Sequence, residues 1–295
     1  MVKASRGEQV FYVLNYSFLT LVMLTCLYPF IYIIATSFSS TRAVNSGEVL
    51  LWPVEPNLEA YRQLLLDGQI FNSMKNTVLL TLVGTVINMF CTILCAYSLS
   101  KKRLHGRNFF MGIIVFTMMF SGGMIPGFLL IRSLRLMDSY WALWLGSMLS
   151  TYNMIVLRTF FAGIPESLEE AAQIDGASDP YILFRIVLPL SGAALATITL
   201  FYAVGWWNSY FSSMLYISST NKWPLMVKLR AMLDTAQFIK AQADTGVVDV
   251  TNRPTVALET FKAASILVSV LPIMCVYPFL QKYFVKGVMI GSIKG

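Results

Sequence analysis

The chain has 295 residues, of which 56% are hydrophobic and 13% charged, about half the charge of an ordinary soluble domain. Its mean hydropathy is +0.64, which points to a membrane as the solvent and excludes a soluble enzyme. The net charge of +7 does not mark a nucleic-acid binder: the basic residues stand near the ends of long uncharged runs, where they meet anionic lipid or set orientation.

A helix needs roughly 20 apolar residues to cross the hydrocarbon. The first uncharged run, residues 10–41, lies between Glu8 and Arg42. It is too long for the core of a cleavable signal, and no small-residue cleavage site follows a short core. The second run lies between Lys75 and Lys101, the third between Arg107 and Arg132, and a shorter fourth between Asp138 and Arg158. The fifth starts near Arg185 and stays uncharged until Lys222; the sixth lies between Lys262 and Lys282. None alternates strictly every second residue, as a barrel strand must. The expected fold class is therefore an all-α integral membrane protein of about six transmembrane helices. The cluster Ser121-Gly-Gly-Met-Ile-Pro126-Gly127 is expected to kink or end the third helix. The fifth run exceeds one straight span, and its tail, 206–219, is expected to turn along the outer interface or form a second short helix.

Cys26, Cys91, Cys95 and Cys275 all lie inside apolar runs, and the lone histidine, His105, stands in a loop. A metal site or disulfide framework lacks partners on this pattern, which leaves buried thiols acting as small apolar side chains. The 22 basic residues divide equally between the two sides, so orientation rests on local density. Lys101, Lys102, Arg103 and Arg107 crowd one short loop, expected to be cytoplasmic, while acids outnumber bases between Arg42 and Lys75. Both termini are then cytoplasmic.

One stretch breaks the membrane pattern. Residues 165–189 carry five acids and one arginine. Pro165 suits a first helical turn, and Glu166, Glu169 and Glu170 suit the positive end of the helix dipole. Leu168, Ala171, Ala172 and Ile174 give an apolar side, and Gly176 allows a tight break. Asp179-Pro180 can start a second short helix, and Pro189 leads into the fifth span. On these residues alone, an amphipathic surface helix joining two spans is as good a reading as a docking element.

The spacing carries the reading further. Glu170-Ala171-Ala172, then Gly176, then Ile186, Leu188 and Pro189 resemble, at every fixed position, the EAA loop of binding-protein-dependent ABC transporter permeases. Ser121-Gly-Gly-Met-Ile-Pro126, Tyr140-Trp-Ala-Leu, Arg158-Thr-Phe-Phe, Phe201-Tyr-Ala-Val-Gly-Trp-Trp-Asn-Ser and the tail from Lys286 are similar to MalG/LplC-type carbohydrate permeases, over nearly the whole chain. The resemblance implies a type I ABC importer transmembrane fold as a single domain over 1–295, with a cytoplasmic coupling loop at 166–189 and an extracytoplasmic loop at 222–262. It implies a cell-membrane complex with a second homologous permease subunit, two ATPase subunits and an extracytoplasmic solute-binding protein. It assigns coupling to the ATPase to Glu170, Ala171, Ala172, Asp175 and Gly176. No GxxxxGK[ST] phosphate loop occurs, so ATP and Mg²⁺ are expected on partner subunits, with no cofactor, metal ligand or catalytic residue in this chain. The tail, 288–295, is expected either to reach between the ATPase subunits or to fray.

Charges are nearly absent from the runs, which leaves no carrier for ion coupling. A polar and aromatic path is available instead: Asn88 in the second run, Tyr152 and Asn153 in the fourth, Trp206, Trp207 and Asn208 in the fifth. Aromatic faces stack on sugar rings and amides bond hydroxyls; the same residue types also form interface belts and interhelical bonds. The resemblance implies an oligosaccharide cargo, with uronate-rich chains such as alginate or pectin fragments among the candidates. Arg132, Arg135, Lys222, Lys228 and Arg230 would steer an acidic sugar. The alternatives are an ABC permease for a non-sugar solute and an ion-coupled secondary transporter. The second would need intramembrane acids or an internal repeat, and the sequence has neither.

Overall fold

The structure, a computed structural model, describes residues 6–66, 68–120, 122–244 and 256–292. Among the described residues there is no strand. The chain divides into two compact units, one of Met1–Gly68 with Leu229–Pro272 and one of Gln69–Lys228 with Ile273–Gly295.

The first unit opens with α1, Arg6–Ser37, which is apolar on every face and almost wholly exposed in this chain. A helix of that kind needs lipid or another chain around it. Its end is tied down by serines. Ser39 Oγ donates to the Ala35 carbonyl at 2.7 Å and accepts from the Val54 amide at 3.0 Å. Ser40 caps α2, Thr41–Asn45, by accepting from the Ala43 amide at 3.1 Å. Arg42 pairs with Glu55 at 2.5 Å, and Tyr61, in α3 (Glu59–Leu66), donates to Ser37 Oγ at 2.9 Å.

The second unit is built around α4, Gln69–Ser100, a 32-residue helix. A helix of that length spans about 48 Å. It is followed by α5 (Arg107–Met119), α6 (Met124–Ser133), α7 (Tyr140–Gly146), α8 (Thr151–Ala162), α9 (Glu166–Ile174) and α10 (Asp179–Ile182). A π-helical turn, Leu183–Val187, joins α10 to α11 (Leu188–Leu190), and α12 (Gly192–Trp207), α13 (Phe211–Tyr216), α14 (Leu225–Asp244) and α15 (Leu258–Ser292) complete the chain. α12 and α8 pack on α4, and Ala96, Tyr97, Met154, Leu157, Phe161, Ile182, Val187, Ile198 and Tyr202 form the buried core between them.

Three described helices are long and apolar enough to cross a membrane, or five if each bent pair counts as one span. The third run breaks where its Gly-Pro cluster predicts: α5 and α6 meet at 111°, with Ser121 itself outside the described residues. Two expectations need correction. The fourth run is not one continuous helix but α7 and α8, interrupted at 147–150, where Ser150 Oγ caps α8. The fifth span does not start near Arg185: residues 179–190 lie at 87° to α12, and the direction changes at Ser191. Within the stretch expected as an extracytoplasmic loop, 222–262, lies the 20-residue α14. Its charges hide an apolar side, because Leu225, Val227 and Leu229 are buried. The part of that stretch around Gly246 lies outside the described residues, as do 293–295; Val288 to Ser292 continue α15. The thiols of Cys26 and Cys275 are exposed rather than buried, because their helices present apolar surface outward.

The α6–α7 connection is pinned by Asp138. Its carboxylate accepts from the Ser218 and Ser219 amides at 3.0 and 2.8 Å, from Ser219 Oγ at 2.6 Å and from Lys222 Nζ at 2.8 Å. These donors, Lys222 first, hold the Asp138 carboxyl well below the usual carboxylate range. A depressed folded pKa contributes stability above the unfolded value near 3.9 and loses it as pH falls through the folded value. Asp138→Asn is therefore expected to lower stability at neutral pH by about 1–3 kcal/mol, with the difference shrinking below about pH 4. Thermal unfolding in detergent at pH 7 and pH 3.5 measures it; an equal deficit at both values would contradict the assignment.

Candidate functional site

Two regions of the second unit carry polar groups that packing alone does not require. The first surrounds the interruption between α7 and α8. A break inside an apolar run leaves backbone groups without helical partners, and in hydrocarbon each needs another. α4 and α12 supply them. Asn88 Nδ2 donates to the carbonyls of Ser147 and Met148 at 2.5 and 2.9 Å, and its Oδ1 accepts from Trp206 Nε1 at 2.5 Å. One turn along α4, Thr92 Oγ1 shares a 2.7 Å hydrogen bond with Tyr202 Oη, which also accepts from the Ser150 amide at 3.1 Å. Gly84 lets the Trp206 ring lie against α4: a Cβ there would stand 2.5 Å from Trp206 Cε2.

Beside this knot lies an open cavity of about 580 Å³, reached by Asn88, Ser150, Asn153, Tyr202, Trp206 and Tyr210. Of the six path residues expected from the sequence, Asn88, Asn153 and Trp206 come together here. Tyr152 points away and is exposed, Trp207 is buried off the cavity, and Asn208 folds back on the Val204 carbonyl at 3.0 Å. The three that meet differ in availability. Asn88 is saturated by its own chain, whereas Asn153, 6% exposed, makes no side-chain hydrogen bond among the described residues. Sequence reading missed Tyr202 and the serines around the break; the one signal for Tyr202 is its i, i+4 spacing from Trp206 on α12.

The second region is the acidic stretch. α9 forms as its sequence directs and closes on a glycine-centred cap. Gly176 sits at φ +80°, its amide donates to the Gln173 carbonyl at 3.0 Å, and the Ala177 amide reaches Ala172 at 2.9 Å. Glu170, Ala171, Asp175 and Gly176 face outward, Ala172 is half-buried, and Ile174 beside them is 87% exposed. The other face is held by the basic loop after α4. Lys101 pairs with Glu169, Lys102 with Glu166 at 2.9 Å and Arg103 with Asp179. Lys102 holds the exposed Glu166 carboxyl below its ordinary range. Lys101 also lies 4.3 Å from the centre of the Tyr97 ring. The glutamate that sequence reading placed only at the helix dipole, Glu169, is the one that is buried.

Among the basic residues expected to steer a sugar, Lys222 is neutralised by Asp138 and Arg230 pairs with Asp234 at 3.0 Å. Arg132 and Arg135 are exposed and form no ion pair among the described residues.

Comparison with known proteins agrees with this geometry. Residues 88–290 match the family described as the binding-protein-dependent transport system inner membrane component. The chain is 45% identical to the polygalacturonan/rhamnogalacturonan transport system permease protein YtcP of Bacillus subtilis, covering 98% of this chain and 99% of that one. It is 40% identical to the protein LplC of the same organism, over 99% and 97% of the two chains. A crystal structure of a bacterial ABC transporter involved in the import of the acidic polysaccharide alginate contains a chain that matches with TM-score 0.84 at 38% identity, over 96% of this chain and all of that one. The chain belongs to the binding-protein-dependent inner membrane component family, as an ABC importer permease of the type I fold.

Proposed function

We propose that this permease is one of two transmembrane subunits of an ATP-driven importer of acidic oligosaccharides, with α9 as its contact to an ATPase subunit. The observation that carries the reading is that one helix, α4, braces an outward-facing α9 at its end and borders a polar, aromatic cavity at a helix break further up. Half-helices that line a cavity at membrane depth are a recurring way to build a transport path. ATP hydrolysis and Mg²⁺ then belong to two partner ATPase subunits, and a solute-binding protein delivers the sugar on the opposite side. The basic loop at Lys101 to Arg107 and α9 share one end of α4, so both lie in the cytoplasm, with the chain termini. Glu170, Ala171, Ala172, Asp175 and Gly176 form the docking surface: the alanines allow close approach, and the glycine sets the turn. In the cavity, Asn153 is the amide free to bond a sugar hydroxyl, and Trp206 and Tyr210 offer ring faces.

An acidic sugar is supported by Arg132 and Arg135, which form no ion pair among the described residues, and by the polygalacturonan/rhamnogalacturonan and alginate cargoes that two relatives are named for. The test is uptake by the reconstituted complex with its binding protein, comparing oligogalacturonate and oligoalginate with neutral xylo- and malto-oligosaccharides. Uronate uptake about 10-fold or more above neutral is expected, a discrimination of about 1.4 kcal/mol. Equal rates would remove the acidic specificity, and uptake without added ATP would remove the importer reading.

A further inference from the structure

The three ion pairs between the basic loop and the acidic stretch are not equivalent. Lys102–Glu166 and Arg103–Asp179 are exposed on both sides. Exposed pairs are screened and hold geometry weakly. Lys101–Glu169 is shielded, with side chains only 16% and 11% exposed, and the Tyr97 ring lies against the ammonium. Lys101 and Tyr97 are one turn apart, at the end of α4. About 14 and 20 Å further along the same helix stand Thr92 and Asn88, the residues bonded to α12 and to the α7–α8 break. A continuous chain of directional contacts therefore runs from α9 through Glu169, Lys101 and α4 to the wall of the cavity.

We propose that the Lys101–Glu169 pair is the positioning link that carries movement of α9 into α4, and that the two exposed pairs beside it are not. Glu169 does not belong to the docking surface: its carboxylate faces inward while Glu170 and Ala171 face out. It acts through Lys101, on the rigid rod rather than on the partner. The proposal rests on α9 being the ATPase contact.

The test uses the whole complex in lipid vesicles with its binding protein, and reads ATP hydrolysis and uptake of labelled oligogalacturonate separately. In Glu169→Gln, hydrolysis is expected to stay within about 2-fold of wild type while uptake falls about 10-fold, so the ATP spent per sugar rises. Reversing the pair, Lys101→Glu with Glu169→Lys, is expected to restore most of the uptake. The doubly neutral Lys101→Met with Glu169→Met leaves no lone buried charge to block assembly, and is expected to remain uncoupled. Glu166→Gln and Asp179→Asn are expected to stay within about 2-fold of wild type in both readouts. A normal ATP-to-sugar ratio in the doubly neutral variant overturns the link, as does hydrolysis falling in step with uptake through loss of the ATPase from the purified complex. Glu170→Ala and Gly176→Val separate the two layers of the argument. If these leave the ratio unchanged, the α9 contact itself fails and the link fails with it. If they raise it while the doubly neutral variant does not, the link alone fails.

Discussion

Asn88→Leu is expected to destabilise the permease by about 3–6 kcal/mol, and little folded protein should survive detergent extraction. The side chain is nearly isosteric, so the loss does not come from volume. It comes from three groups left without partners in an apolar interior: the carbonyls of Ser147 and Met148 and the indole N–H of Trp206. Each unsatisfied buried group costs about 1–3 kcal/mol. The carbonyls belong to a helix break that has no intrahelical alternative, so the surroundings cannot compensate without unwinding α7 or α8. A thermal midpoint equal to wild type would show that water or lipid headgroups satisfy the break instead. Asn153→Leu is the matched control. That amide has no partner among the described residues, so its loss should leave stability near wild type and appear in transport.

The second large effect is expected at Gly84. Any side chain there meets the Trp206 ring, with Cβ 2.5 Å from both Cε2 and Nε1. A flexible neighbour would swing aside, but this indole is held by Asn88 and lies among Leu80, Leu143, Trp144 and Ile217. Overpacking usually costs about 1–3 kcal/mol, and a rigid aromatic obstacle puts Gly84→Val at or above the upper end. The midpoint for thermal unfolding should fall accordingly, and Gly84→Val with Trp206→Leu should recover part of it, since residues in contact do not add. Additive losses in that double variant would mean that the two helices do not meet through this ring.

The unequal legibility of the sequence follows from what each feature depends on. The long apolar helices α1 and α4 were readable because desolvation acts on every residue in them. The end of α9 was readable because a positive φ at Gly176 is a local demand. The break between α7 and α8 was not: nothing in Gly146-Ser-Met-Leu-Ser150 prohibits a continuous helix, and its backbone is stabilised by Asn88 and Tyr202, 52 or more positions away. Asn88 and Trp206 were picked out as polar groups in an apolar run, but the sequence could not tell that they would use up each other's hydrogen bonds. α14 was hidden by its own charges, which break the uniform hydropathy of a span without breaking a helix.

The π-helical turn at Leu183–Val187 has a consequence for how the chain can change length. A π turn is an α-helix with one residue added and its neighbours left wound, here just before Pro189, which has no amide hydrogen to give. Removing a single residue from this turn would return the ladder to the ordinary repeat and leave the helix on either side in phase, because the wide turn is what absorbs the added residue. Asp179 would keep its place beside Arg103, and the bend at Ser191 would stay where it is. The turn is therefore the point in the acidic stretch where chains descended from this one should tolerate a one-residue deletion more readily than in the α-helical turns beside it.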